Sequence, residues 1–182
     1  MTTMRVDVLI IGAGPIGGYL ATKLVDSGLD VLMIEEHEEV GRPFQCAGLV
    51  TPDAMSKVGL ESSILSSVWG ARIHSPKGTC VEVGEEGEIR THVVCRKLFD
   101  EGVVRQALAK GANLWLDSQP VEAVVTNSLV SVTVNKSGEK RVIEAALLCG
   151  ADGAHSWVRR YFKMGNPKEL MIGFQSEIVG YA

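Results

Sequence analysis

The chain has 182 residues, 46% hydrophobic and 22% charged, which suits one folded domain with part of a second and excludes a disordered segment. Its 18 basic and 22 acidic residues give a net charge of −4, opposite to the basic excess of nucleic-acid binders and neutral on weak membrane-surface contact. Cys46, Cys80, Cys95 and Cys149 form no CxxC pair and have no histidine at ligand spacing, so no metal site or disulfide framework is expected, and a reducing cytoplasmic setting is.

No apolar run reaches the roughly 20 residues of a membrane-spanning helix, and glycines interrupt the start too soon for a cleavable signal. Glycine is in surplus, 20 residues where an average chain of this length carries about 7%.

The first forty residues account for part of that surplus. Val6 to Ile11 is a nearly continuous apolar run, the pattern of a strand buried on both faces of a parallel sheet. It leads into Gly12-Ala13-Gly14-Pro15-Ile16-Gly17-Gly18. Ile16, Leu20 and Leu24 then recur as one helix face beside Ala21 and Val25, and Gly28 supplies the stop. A second strand, Val31 to Ile34, ends on Glu35. This strand–turn–helix–strand–acid unit binds dinucleotides: Gly12 permits the turn, Gly14 admits a pyrophosphate, and Gly17 lets the helix pack closely. Glu35 stands 18 residues after Gly17, where a carboxylate accepts hydrogen bonds from a ribose diol, and its neighbour Glu36 disfavours a 2′-phosphate.

The later chain favours FAD over NAD. A Gly/Pro-rich loop, Gly41 to Gly48, replaces the next strand, followed by a short helix near Pro52 to Val58 and β-rich sequence from Val68 to Val94. A helix follows from about Lys97 to Lys110, with Phe99, Val103 and Ala107 in one stripe beside Val104 and Leu108. Ala112 to Leu116 reads as a third parallel strand. Val121–Val125, Leu129–Val134 and Val142–Cys149 then form a meander in place of a crossover helix. The last strand runs into Gly150-Ala151-Asp152-Gly153-Ala154-His155-Ser156, where Asp152 either caps the next helix or bridges to the cofactor diphosphate.

The fold class expected is α/β, a glutathione-reductase-like FAD-binding fold with a central parallel sheet, a β-meander and partial substrate-domain segments. Likeness to proteins of this fold implies that residues 1–165 form the FAD-binding domain, with a β-rich insertion at about 62–95 leaning toward a substrate domain that residues 166–182 begin. The acidic stretch Glu82, Glu85, Glu86 and Glu88 reads as a solvated hairpin. His37, His74, His92 and His155 read as solvated or capping, and the cysteines other than Cys46 as core.

Gly12 to Glu35, Gly41-Arg42-Pro43-Phe44-Gln45-Cys46-Ala47-Gly48-Leu49, Cys95 to Asp100 and Gly150 to Arg159 together resemble the geranylgeranyl reductase family, flavoproteins that saturate isoprenoid chains. The resemblance implies that Gly17, Glu35, Cys46, Ala47, Leu49, Arg96 and Val121 line FAD. Arg96 would set a cation against phosphate or ribityl oxygens, or else is a surface arginine at a helix start. Val121 would act through its backbone. Cys46 would sit near the isoalloxazine facing the substrate cavity, or else is an unreactive small core residue.

The implied chemistry is hydride delivery from reduced FAD to an isolated alkene. An isoprenoid lipid is the substrate, an unidentified donor supplies electrons, and peripheral membrane contact fits the substrate. An aromatic hydroxylase and an inactive or electron-transfer flavin fragment are the alternatives. Relatives continue through a substrate domain and a late Gly-Asp motif, so a C-terminal half is expected beyond Ala182, with the final residues Ile178 to Ala182 reading as a strand.

Overall fold

The computed structural model describes residues 3–43, 46–174 and 179–180. The chain opens with Thr3–Ile11 (β1), Pro15–Asp26 (α1) and Val31–Ile34 (β2), then a two-residue strand Leu49–Val50 (β3) and Pro52–Val58 (α2). After a single 3-10 turn at Glu61–Ser63 come Ile64–Val68 (β4), Gly70–His74 (β5), Cys80–Gly84 (β6), Thr91–Val94 (β7) and Arg96–Ala109 (α3). Asn113–Trp115 (β8), Ser118–Val125 (β9), Val130–Lys136 (β10), Glu139–Gly150 (β11) and Trp157–Tyr161 (α4) complete it.

The main sheet has the order β8-β2-β1-β11-β10-β9. Its first four strands are parallel, and β10 and β9 continue it antiparallel, so the meander occupies the place of a crossover helix as the sequence predicts. Alternation along β1 explains its unbroken apolar run. Val8 and Ile10 face α1 and α3 together with Val31, Met33, Ala21 and Ala107. Leu9 and Ile11 face the other way, onto Leu32, Ile34, Val132, Val134 and Ile143. Both faces are covered, so neither set can be polar.

The buried face of α1 differs from the one its sequence period suggests. Ile16 is 71% exposed, whereas Gly17, Gly18, Ala21 and Thr22 are buried. The reason is the closeness of α3: a Cβ on Gly18 would stand 3.0 Å from Val104 Cγ2 and 3.1 Å from Val103 Cγ1. A seam that tight selects glycine and alanine, and Leu20 and Leu24 flank it. On α3, Phe99, Val103, Val104 and Ala107 are buried as expected, but Leu108 turns outward.

Within the β-rich insertion, β4 and β7 join β3 in a small sheet, β3-β7-β4, packed near α2 and α3, while β5-β6 form a separate ribbon. That ribbon is exposed throughout; Glu82 pairs across it with Arg72 at 2.7 Å, which makes it the solvated acidic hairpin expected. It also corrects the reading of Cys80 as core. Cys80 lies on this ribbon, where no layer covers it among the described residues, while Cys95 and Cys149 are half-buried. Of the strand expected at the end, Ile178, Tyr181 and Ala182 lie outside the described residues, and Val179 and Gly180 are not in a strand.

One side-chain contact ties the meander to the segment after β11. The Tyr161 hydroxyl on α4 accepts from the Ala123 N–H at 3.0 Å and donates to the Ala123 carbonyl at 2.9 Å. Tyr161→Phe leaves both backbone groups of β9 without that partner. A loss of about 1–2 kcal/mol is expected, read as a lower urea midpoint at unchanged m-value.

Candidate functional site

The carboxyl ends of β1, β2 and β11 meet at the glycine turn. Gly12 has φ +99, and a Cβ there would stand 2.5 Å from the Ala151 carbonyl oxygen, so only glycine fits the crossing of β1 and β11. A Cβ on Gly17 would collide with the Gly12 carbonyl oxygen, which explains the third glycine by helix packing. Gly14 is different. Its φ of −74 suits any residue, and no atom of the described residues lies within 4 Å of where its Cβ would be. Among the described residues nothing requires glycine there, and the space above the backbone is open.

That space lies at the start of α1. Pro15 occupies the first turn, no acid stands in it, and among the described residues no side chain caps it. The unpaired N–H groups and positive dipole end of the helix therefore face the opening, an arrangement that suits a diphosphate.

At the end of β2 the Glu35 carboxylate turns back to the glycine turn. Its Oε2 accepts from the Ala13 N–H at 2.9 Å, and its Oε1 accepts from the His37 N–H at 3.2 Å and faces His37 Nδ1 at 2.6 Å. The His37 ring is partly solvated, as expected, and is also paired with this carboxylate. The backbone here is pinned to the end of β8 and the start of β9. Glu35 N–H donates to Trp115, Ser118 N–H to the Glu35 carbonyl, and Asp117 N–H to the His37 carbonyl.

Across the opening, Arg96 at the start of α3 is held two-pronged by buried Asp100, Nε to Oδ1 at 3.0 Å and Nη2 to Oδ2 at 2.8 Å. Burial opposes the Arg96 charge, but the Asp100 carboxylate, helped by the nearby Cys46 sulfur, outweighs it and raises the guanidinium above the usual arginine range. Arg96 is thus a charge-compensated, fixed set of donors rather than a lone surface cation. Lys97 bridges to Glu39 at 3.2 Å and fastens the loop after β2 to α3. Cys46 is exposed and its sulfur accepts from the Gly48 N–H at 3.5 Å, so the buried-core alternative for it does not hold. By contrast, burial pushes the Cys149 thiol up.

Asp152 follows β11 and its Oδ2 accepts from the Val158 N–H at 3.1 Å, the helix-capping role considered for it, yet it also borders the opening. Together these segments enclose a groove of 470 Å³ that brings Gly12, Gly14, Glu35, Cys46, Arg96 and Asp152 to one place. Gly17 lies just beneath. Ala47, Leu49 and Val121 are not on its wall: Leu49 is 62% exposed on β3, and Val121 is exposed beside Pro120, which does line the groove. Phe44 and Gln45 lie outside the described residues. Sequence reasoning missed His37, Ser118, Pro120, Trp157 and Arg160, all groove residues. His37 alone carried a signal, being two residues past the acid that ends β2.

A glycine turn at the switch of a parallel sheet, an uncapped helix start and an acid at the end of the second strand define a dinucleotide-binding domain. The chain belongs to the FAD binding domain family, which residues 5–173 match. Among curated proteins it is 36% identical to the digeranylgeranylglycerophospholipid reductase of Methanosarcina acetivorans over 161 residues, covering 85% of this chain and 39% of that protein. The chain spans about two fifths of the length of such relatives.

Among solved structures it resembles a geranylgeranyl bacteriochlorophyll reductase-like protein from Thermoplasma acidophilum, with a TM-score of 0.79 and 25% identity over 94% of this chain and 44% of that one. An anhydrotetracycline hydroxylase from Streptomyces rimosus has a TM-score of 0.72 and 25% identity, covering 88% and 34%. The groove suits FAD on observations from the chain itself: the open space over Gly14, the uncapped start of α1 and the turned-in Glu35 carboxylate.

Gly14 and Gly17 separate binding from folding. Gly14→Ala is expected to unfold no more easily than the wild type, since its backbone is ordinary and its Cβ meets nothing. It is expected to lose most FAD affinity, because the methyl occupies the diphosphate's approach. Gly17→Ala is expected to lower the unfolding midpoint outright. Thermal melts and flavin fluorescence titration on both variants check this.

Proposed function

We propose that this chain is the FAD-binding part of an oxidoreductase that saturates isolated C=C bonds of geranylgeranyl chains in the synthesis of isoprenoid membrane lipids. The observation that carries this reading is the 36% identity to a digeranylgeranylglycerophospholipid reductase over 161 residues, a stretch far longer than the glycine turn shared by many flavoproteins. The chemistry FAD supplies when bound is hydride transfer to one alkene carbon, with a proton going to the other.

The chain's own residues bind and orient. The N–H groups at the start of α1 take the diphosphate, Glu35 accepts ribose hydroxyls, and Arg96, locked by Asp100, directs its remaining N–H groups along the groove. Cys46 stands on the groove wall beside Arg96, where its thiol borders the flavin end and the substrate's approach. Asp152 joins the diphosphate side while capping α4, and Ala47, Leu49 and the Val121 backbone extend the contact beyond the groove wall. An unactivated alkene offers no charge to grip, so alignment and water exclusion are the protein's main contributions.

In this reading residues 1–165 form the FAD-binding domain, and the segments 62–95 and 166–182 lean toward a substrate domain. The apolar cross-strand pairs Ala71–Val83 and Ile73–Val81, exposed on the β5-β6 ribbon, support that assignment, as do exposed Met171, Ile172 and Phe174. The substrate is an isoprenoid lipid, a reduced donor of another class supplies electrons, and the setting is cytoplasmic with peripheral contact to the membrane that holds the lipid. No described helix is long and apolar enough to cross a membrane.

With FAD, dithionite and a geranylgeranyl glycerolipid, a polypeptide carrying this chain with its substrate domain is expected to add two mass units per saturated bond. Unchanged lipid with flavin bound contradicts the reading. The hydroxylase alternative, which the Streptomyces rimosus likeness favours, predicts NAD(P)H-dependent oxygen uptake instead. In the chain alone, iodoacetamide is expected to label exposed Cys46 and Cys80 first and Cys149 last, and FAD is expected to protect Cys46 but not Cys80. Peptide mass mapping reads both.

A further inference from the structure

Glu35 is held more firmly than its role as a bare hydrogen-bond acceptor requires. An ionised carboxylate offers about four acceptor positions. Three donors already converge on this one: the Ala13 N–H on Oε2, and the His37 N–H and His37 Nδ1 on Oε1. Because a carboxylate only accepts, Nδ1 is the protonated ring nitrogen. The acceptor position left open therefore belongs to Oε2, the oxygen beside the glycine turn. Without the ring, Oε1 keeps only the longer 3.2 Å bond from the backbone, and with the Ala13 bond on Oε2 it holds the terminal torsion less tightly.

We propose that His37 is a positioning residue for Glu35, fixing the carboxylate so that Oε2 is presented to a ribose hydroxyl of the adenosine half of the bound dinucleotide. This deepens the FAD reading and rests on it. The loop gives the ring that role without making it part of the fold. The His37 carbonyl accepts the Asp117 N–H at 3.0 Å, so the backbone keeps its place when the ring is removed. The ring itself is 38% exposed on the groove wall and closes no cavity in the core, whereas the Glu35 side chain is 13% exposed and turned inward. A half-buried acid oriented by a groove-side histidine is a device for aiming, since the histidine could be lost at little cost to folding.

The test compares wild type, His37→Ala and His37→Asn. Asparagine offers a side-chain N–H near the position of Nδ1. In flavin-free protein all three are expected to melt alike. His37→Ala is expected to bind FAD about tenfold more weakly, the size of one hydrogen bond to a charged group, and ADP more weakly by the same factor. His37→Asn is expected to recover most of the loss for both. Unchanged affinity in His37→Ala overturns the proposal, as does a loss for FAD without one for ADP, a failure of asparagine to rescue, or a lowered melting point that tracks the affinity. If the wild type binds neither FAD nor ADP, the FAD reading itself falls, and this outcome is distinct from the others.

Discussion

Three backbones cross at Gly12 with no room for a side chain between them. The end of β1 meets the Ala151 carbonyl that follows β11, and the Gly12 carbonyl in turn lies under Gly17 of α1. Close-packed interiors do not relax around such a crossing, so the positions of the three segments are mutually fixed. The start of α1, the end of β2 and the segment after β11 can surround one groove because this crossing holds them there. The Ala151 N–H to Ile11 carbonyl bond at 2.7 Å and the Gly12 N–H to Ile34 carbonyl bond at 2.8 Å tie the same point to both neighbouring strands.

Around that anchor the groove is built mainly from backbone and from side chains that are already paired. Glu35 is held by Ala13 and His37, Arg96 by Asp100, and Asp152 by the start of α4. Pre-pairing fixes orientation before a ligand arrives and lowers the cost of ordering it. It also keeps each charge compensated, which a partly buried site requires. Such a groove can hold and aim a redox cofactor, and it leaves the electron chemistry to the cofactor.

The strands and helices were legible in the sequence where one period dominated. The bounds of β2 and α2 match their expected ranges. The buried face of α1 was misread because the largest apolar residues mark a helix face only at ordinary packing distance. At the α1–α3 seam, where Gly18 nearly touches Val103 and Val104, the smallest residues mark it instead. Cys80 was misread because a cysteine's burial depends on a covering layer, which residue type does not report. The glycine turn and Glu35 were legible because each has a separate physical job. His37 carried only its place two residues past that acid, because its ring touches the groove through a neighbour's carboxylate.

The central claim is that FAD lies along this groove with its diphosphate over Gly14, and amide chemical-shift mapping tests it most directly. Titrating FAD into ¹⁵N-labelled protein is predicted to move the amides of residues 12–17, 35–37 and 151–153 furthest. Saturable shifts concentrated elsewhere, on the β9–β10 turn or the β5-β6 ribbon, would contradict the account.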